Sequence, residues 1–347
     1  MLKAKRSNNK AAVSAALFSK HSLLLLCFLA STLFFTTLTY RHSLPTLPCK
    51  KQPLIFYANQ CNDDLKNVYL QALQKAKSSL FLIIYGLTDI DIIKALQSKI
   101  QEGVVVRIFF DPGGSKGIEQ HFPPSIAFPT KSIGLMHKKI LVIDKKQILL
   151  GSANLTETSL RLHDNLLIGC YHKGLAYFLE SSLENSYSFQ VAHQQIELFS
   201  LPEPEQKALS QVLKELAKAE KSIKICMFTF THEKLYQALI DARSRGVSVD
   251  IAIDYYSARG ASKNIIKNLY NEGITPYIGP PGKLLHHKWC LIDDTTLILG
   301  STNWTGSAFK KNDDVLILLP SLSPKQTSFM QKIWKATQKS SKPYKID

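Results

Sequence analysis

Two stretches of the chain, "HKKILVIDKKQILLGSAN" (137–154) and "HHKWCLIDDTTLILGSTN" (286–303), carry the same functional residues at the same spacing. Each has a histidine, a lysine two residues on, an aspartate five further, and a Gly-Ser-x-Asn step after that. Over the twenty residues from each histidine nine positions are identical, at a constant offset of 149. Either stretch alone reads as a solvated hairpin edge, because charge beside a strand is usually a wetted face. The repetition changes that weight. Strand alternation puts His137 and Lys139 on one face and Asp144 on the other, while Ser152 and Asn154 share a face beyond Gly151. His286, Lys288, Asp293, Ser301 and Asn303 repeat these relations. Two such faces brought together would hold two imidazoles, two ammonium groups and four neutral hydrogen-bond donors. That set suits a phosphodiester. Lysines offset its charge, the donors Ser152, Asn154, Ser301 and Asn303 bind the phosphate, one imidazole attacks phosphorus, and the other protonates the leaving alkoxide and then activates water. Asp144 and Asp293 complete each motif and, from the opposite strand face, are expected to brace the turn.

The elements needed to position these residues are also repeated. At an offset of 143, "EGVVVRIFFD" (102–111) matches "RGVSVDIAID" (245–254), and "YGLTDIDIIKAL" (85–96) matches "FTFTHEKLYQAL" (228–239). Each copy reads as an amphipathic helix (63–77; 205–219), an apolar strand (80–85; 223–230), a second helix, a β-branched strand, the motif hairpin, another strand (166–171; 315–319) and a closing helix. Strands alternating with helices predict an α/β fold of two similar halves, 52–198 and 203–345, joined near "SLPEPEQ" and related by a pseudo-twofold axis with the site between them. The loops 122–134 and 279–284, just before the motifs, are expected at the pocket rim. Lys138, Lys145 and Lys146 are expected on a solvated edge, His287 on the surface, and Trp289, Trp304 and Trp334 in the core. His121, His163, His193 and His232 read as isolated surface or core polar residues.

With 347 residues and 45% hydrophobic content the chain is large enough for a substantial core. Its formal net charge is +16, and residues 1–51 hold eight Lys and Arg with no Asp or Glu, which accounts for half of that excess. The remaining +8 suits a polyanionic partner. A basic leader followed by the uncharged apolar run 23–40 predicts a signal or transmembrane segment within residues 1–45, with the catalytic part membrane-anchored or exported on the non-cytoplasmic side. The six cysteines follow no metal-binding spacing and no disulfide framework. Cys49 and Cys61 are close enough to pair in an oxidising compartment, while Cys226 and Cys290 are expected as buried thiols.

The pattern H-x-K-x4-D-x6-G-S-x-N, met in full by His137 to Asn154 and again by His286 to Asn303, resembles the signature of the phospholipase D superfamily, over roughly residues 60–345. The resemblance implies a metal-independent phosphodiesterase without cofactors, built from two α/β halves in one monomer. It implies a phospholipid substrate and membrane partner, with nucleic-acid cleavage or cardiolipin-synthase-type phosphatidyl transfer as alternatives. A non-enzymatic anchored binding protein is disfavoured by two intact histidine and lysine pairs. By analogy with two-copy members His137 is the nucleophile and His286 the acid. The family's acidic residue 28 positions after each histidine, which orients an imidazole, falls here at Asn165 and Asp314, so only the second copy keeps the charge. The two histidines are therefore expected to differ in basicity.

Overall fold

The computed structural model describes Phe28, residues 44–181 and residues 186–345. The chain divides into two units, Met1–Pro45 and Thr46–Asp347, and the second holds every element discussed below. Seven strands form one sheet: β1 (Leu54–Ala58), β2 (Ser79–Ile84), β3 (Val105–Phe110), β4 (Ala127–Pro129), β5 (Lys139–Ile143), β6 (Gln147–Gly151) and β7 (Leu166–Tyr171), in the order β1-β7-β6-β5-β2-β3-β4. Nine form the other: β8 (Ser186–Val191), β9 (Gln194–Leu201), β10 (Ser222–Met227), β11 (Ser248–Ile253), β12 (Tyr277–Ile278), β13 (Lys288–Ile292), β14 (Thr296–Gly300), β15 (Asp314–Leu319) and β16 (Lys342–Pro343), in the order β16-β12-β11-β10-β13-β14-β15-β9-β8. The order β9-β15-β14-β13-β10-β11-β12 repeats the first sheet strand for strand, which agrees with an α/β fold of two similar halves. The hairpin β8–β9 pairs with β15 as β1 pairs with β7, so the second sheet begins before residue 198.

Strand alternation explains how the sheets pack. Ile140 and Val142 of β5 share one apolar layer with Trp289 and Leu291 of β13, flanked by Leu175 and Leu179 of the helix Lys173–Ser181 and by Ile333 and Trp334 of the helix Pro324–Ser340. The alternate residues, Leu141 and Ile143 on one sheet and Cys290 and Ile292 on the other, face separate outer layers. The helix Leu65–Lys75 covers one of these with Leu65, Val68, Tyr69, Ala72 and Leu73, and the helix Lys207–Lys218 covers the other with Leu209, Val212 and Leu216. Leu65–Lys75 starts two residues later than expected, because Asp64 caps it through Asn67 N while the Asp63 carboxylate accepts from Ala58 N at 2.9 Å. Trp289 and Trp304 are buried, as expected, as are Cys226 and Cys290. Cys49 and Cys61, close enough in sequence to pair, are free thiols.

Asp144 and Asp293 sit in the tight turns that close the two motif hairpins. Asp144 and Lys145 in one, and Asp293 and Asp294 in the other, have φ between 49° and 56°, the left-handed conformation at both central positions that matches strand twist. Aspartate tolerates this region better than most residues, and its carboxylate does a second job. Asp144 accepts from the backbone N–H groups of Lys77, Ser78 and Ser79, and Asp293 from those of Glu220, Lys221 and Ser222, pinning the entry to the neighbouring strand. Burial raises the Asp144 carboxyl, but the hydrogen bonds from Ser78, Ser79 and Lys77 outweigh it and hold the group below its ordinary range. Asp144→Ala is expected to cost about 2 kcal/mol, discounted for partial exposure. A carboxyl with a depressed folded-state pKa stabilises above its unfolded value and loses that contribution as pH falls through the folded one. The cost measured by urea unfolding should therefore be full near neutrality and shrink as pH falls below the unfolded aspartate value of about 3.9.

Among the described residues no helix is long and apolar enough to cross a membrane. The expectation of a membrane-anchored or exported protein is therefore withdrawn. The run 23–40 on which it rested lies outside the described residues, apart from Phe28.

Candidate active site

The two motifs meet where the sheets come together, and each is held in place by backbone of the other half. His137 N–H donates to Asp313 O at 2.7 Å and Asp313 N–H to Leu135 O at 2.8 Å; in the mirrored contact Asp164 N–H donates to Leu284 O at 2.9 Å. Met136 bridges Asp313 and Leu285 bridges Asp164 as short parallel pairs. The loops before the motifs complete these clamps. Gly134 N–H donates to Lys311 O, and Lys283 forms an ion pair of 2.6 Å with buried Asp164. Each histidine precedes its strand rather than starting it, since β5 begins at Lys139 and β13 at Lys288.

Side chains cross between halves in the same way. His137 Nδ1 lies 2.8 Å from Asp314 Oδ1, and His286 Nδ1 lies 2.9 Å from Asn165 Oδ1. The Asn165 amide nitrogen is committed to Ser159 O at 2.8 Å, so its oxygen faces His286 and can only accept. Both imidazoles therefore carry a proton on Nδ1 and present Nε2 as the reactive atom. The Ser152 and Ser301 hydroxyls, expected to bind phosphate, are turned elsewhere. Ser152 Oγ donates to Asn165 Oδ1 at 2.8 Å and accepts from Leu166 N, while Ser301 Oγ donates to Asp314 Oδ1 at 2.6 Å and accepts from Val315 N. They hold the orienting residues instead. Gly151 and Gly300 make this possible, since a methyl on either would collide with the Leu166 or Val315 carbonyl oxygen of the adjacent strand. Asn303 Oδ1 accepts from Thr229 N, whereas the Asn154 amide makes no side-chain hydrogen bond to another described residue.

Lys139 and Lys288 are buried beside the histidines. Lys139 Nζ donates to His137 O at 2.5 Å and stands 5.0 Å from the Tyr85 ring centroid; Lys288 Nζ donates to His286 O at 2.8 Å and stands 5.0 Å from that of Phe228. Burial pushes Lys139 down to about 7 against the pull of Asp314 and Asp111. Burial and then the Lys139 charge hold Lys288 well below the ordinary lysine range. Both imidazoles are held below the ordinary histidine range by burial first. For His137 the Lys139 charge adds to this and Asp314 opposes it; for His286 the charges of Lys288 and Lys139 add to it, and no carboxylate touches its ring among the described residues. Asp314 itself is pushed up by burial, but His137, Lys139 and the Ser301 hydroxyl outweigh that and hold it ionised. Four groups that would each carry positive charge thus share a site with one buried carboxylate in contact. An arriving anion would restore the missing charge.

Several sequence readings need correction. His287 is fully buried rather than on the surface, with Nε2 2.7 Å from Gln60 Oε1, and burial drives it down to about 3. Lys138, the equivalent residue, is buried as well, so only Lys145 of the expected edge is fully exposed. Asp144 and Asp293, grouped with the catalytic residues by motif, are brace residues at the far ends of their strands. His163 is not isolated, since its ring centroid lies 6.2 Å from that of His286. Two further residues escaped the sequence reading. Asp111 Oδ2 accepts from Met136 N, and Asp254 Oδ2 from Leu285 N, while each Oδ1 caps the loop or helix that follows, so both position the backbone just ahead of a motif histidine. Their signal was present, because they end the matched blocks "EGVVVRIFFD" and "RGVSVDIAID".

A family profile described as "Cardiolipin synthase, PLD-like domain" matches residues 69–187 and 212–338. "Mitochondrial cardiolipin hydrolase" of Xenopus laevis is 32% identical over 113 residues, 32% of this chain and 52% of that protein. "Phospholipase D" of Rickettsia typhi is 29% identical over 163 residues, 44% of this chain and 78% of that protein. The chain spans about half the length of the curated cardiolipin hydrolases it matches. Among solved structures, phosphatidylserine synthase of Haemophilus influenzae superposes with a TM-score of 0.68 over 87% of this chain and 90% of that one, at 13% identity, a likeness of fold.

Proposed function

Since the chain belongs to the phospholipase D-like family, whose profile covers most of both halves, we propose that it is a phosphodiesterase that hydrolyses phospholipids through a phosphohistidine on His137. The observation that carries this reading is the pairing of His137 with Asp314. A neutral imidazole with its Nδ1 proton on a carboxylate offers Nε2 as nucleophile, and the cationic ring formed on attack is stabilised by that same carboxylate. His286, against a neutral amide, holds an added proton weakly and gives it up readily, which suits a general acid.

His137 Nε2 attacks phosphorus, the bond to the headgroup oxygen breaks, and the proton on His286 Nε2 passes to that oxygen as the alcohol leaves. Water then attacks the phosphohistidine, gives a proton to His286 and displaces His137, releasing the phosphatidic acid. Lys139 and Lys288, with the Asn154 and Asn303 amides, offset the charge that builds on the phosphoryl oxygens. The substrate's own charge favours protonation of His286 on binding. One chain supplies both half-sites, 52–198 and 203–345, and the scheme requires no second copy.

Phospholipid is favoured as substrate because the similar proteins are named cardiolipin hydrolase and phospholipase D. The +8 excess beyond residue 51 favours a second reading, cleavage of nucleic acid. Transfer of the phosphatidyl group to an alcohol would use the same intermediate. The purified chain is to be offered vesicles of cardiolipin, phosphatidylglycerol or phosphatidylcholine, and separately labelled single-stranded DNA. Release of headgroup with DNA left intact is the expected result. Turnover of DNA without lipid cleavage would replace the first reading by the second.

A further inference from the structure

The pseudo-twofold symmetry of the site is broken at two positions, and both are on the same side. Around His137 the other half supplies Asp314, with Asn312 two residues before it. Asn312 serves the backbone and the carboxylate: its Oδ1 accepts from Leu135 N at 3.0 Å and its Nδ2 lies 3.5 Å from Asp314 Oδ2. Around His286 the corresponding residues are Asn165 and His163. The fixed charge is gone and an imidazole stands where the amide was. That imidazole is half-buried, its centroid is 6.2 Å from the His286 ring, and its side chain makes no hydrogen bond among the described residues. The helix Glu157–Arg161 and the bond from Asn165 Nδ2 to His163 O hold its backbone beside the site.

The scheme proposed above requires His286 to hold a proton on Nε2 when the alkoxide leaves. Burial, two lysines and a neutral orienting partner all oppose that. In a symmetric site a second carboxylate would offset them. Here the chain offers a half-buried titratable ring beside His286 instead. Direct transfer needs nitrogens about 3 Å apart, and a centroid separation of this size is suited to one water between them.

We propose that His163 is a proton-relay residue that acts through His286, taking the place of the carboxylate lost at position 165. The inference rests on the hydrolase reading of the site. Protonated His163 passes a proton through one water to His286 Nε2. His286 then passes it to the leaving oxygen, and in the second step the proton that His286 takes from the attacking water returns through the bridging water to neutral His163. No proton is gained or lost over the cycle. The charged groups facing His163 are Asp254, which favours its protonated form, and Lys288 and Lys283, which oppose it; burial opposes it most, and the His163 charge in turn disfavours a proton held on His286. This balance makes His163 weakly basic, as a donor requires.

The test uses the full-length chain and a matched pair of lipids, phosphatidylglycerol and the same phosphatidyl group carrying p-nitrophenol in place of glycerol. Glycerol is a poor leaving group and needs an acid; nitrophenolate does not. His163→Ala is expected to lower kcat on phosphatidylglycerol by about tenfold or more beyond its effect on the nitrophenyl ester, with KM little changed. The alkaline limb of the pH profile, where a required acid loses its proton, should change on phosphatidylglycerol alone, and added imidazole should restore part of the lost rate. His163→Gln, which keeps bulk and polarity without titrating, should behave like the alanine variant. Equal losses on both esters, no loss on either, or full activity in His163→Gln would overturn the relay while leaving the hydrolase intact. A wild-type chain that turns over neither ester would overturn the hydrolase reading, and the relay with it.

Discussion

His137→Ala is expected to lower kcat by about 10⁴-fold or more on any phosphodiester the protein cleaves, because no other imidazole in the site has a carboxylate on Nδ1 to support attack. His286→Ala should fail differently. On an alkyl ester it loses the proton donor and turnover falls by about 10²-fold to 10⁴-fold. On the nitrophenyl ester the first step needs no acid, so nitrophenol should appear in a burst of one equivalent while the second step, deprived of its base, stalls. Intact-protein mass measured after the burst should show one phosphatidyl group added, on His137 and labile to acid, as a phosphorus–nitrogen bond is. The group found on His286 in the His137→Ala variant, or full activity in both variants, would refute this assignment of the shared site. Circular dichroism melts of the variants separate these outcomes from unfolding.

The second large effect is expected at the pair that breaks the symmetry. Asp314→Asn should lower kcat by about 10²-fold or more, since the phosphohistidine cation loses its counter-charge and two buried lysines lose the carboxylate that most favours their charge. The sign of the pH effect follows from the charges. Asp314 favours the protonated form of His137, so its removal moves the His137 limb of the kcat/KM profile to lower pH. Asn165→Asp adds the missing carboxylate to His286, so the His286 limb should move to higher pH. A profile unmoved by both substitutions would mean that neither residue tunes its histidine. Stability should respond as well. Both imidazoles are held below the ordinary histidine value by burial, so the unfolded chain binds more protons than the folded one, and stability is lost as pH falls through about 6.5.

The crossed pairing also explains why a chain of this kind carries its motif twice. Each half supplies a nucleophile-capable histidine and the residue that orients the histidine of the other half, so neither half is complete alone. Duplication leaves each copy free to diverge around its own histidine. Here the second copy, which supplies the carboxylate, partly offsets the burial that lowers His137; the first, which supplies Asn165 and His163, leaves His286 dependent on a mobile proton.

What could be read from the chain was local. The doubled H-x-K-x4-D-x6-G-S-x-N spacing placed the histidines and lysines on one strand face and the aspartates on the other, because side-chain direction along a strand alternates with period two. Apolar positions at helical spacing placed the helices to within about two residues, since burial of one face is a property of the segment itself. Other features depended on which distant segment arrives. Ser152 and Ser301 were read as phosphate ligands because a hydroxyl on the pocket strand looks free in sequence; only the adjoining strands β7 and β15 show that Asn165 and Asp314 claim them. His287 and Lys138 were read as solvated because the motif itself says nothing of the distant residues that reach them, Gln60 at His287 and Asp313 at Lys138. Spacing along the chain thus determined which residues have the chemistry. The pairing of His137 with Asp314 and of His286 with Asn165, across 177 and 121 residues, was decided by the packing of two sheets, a contact that no periodicity within either copy encodes.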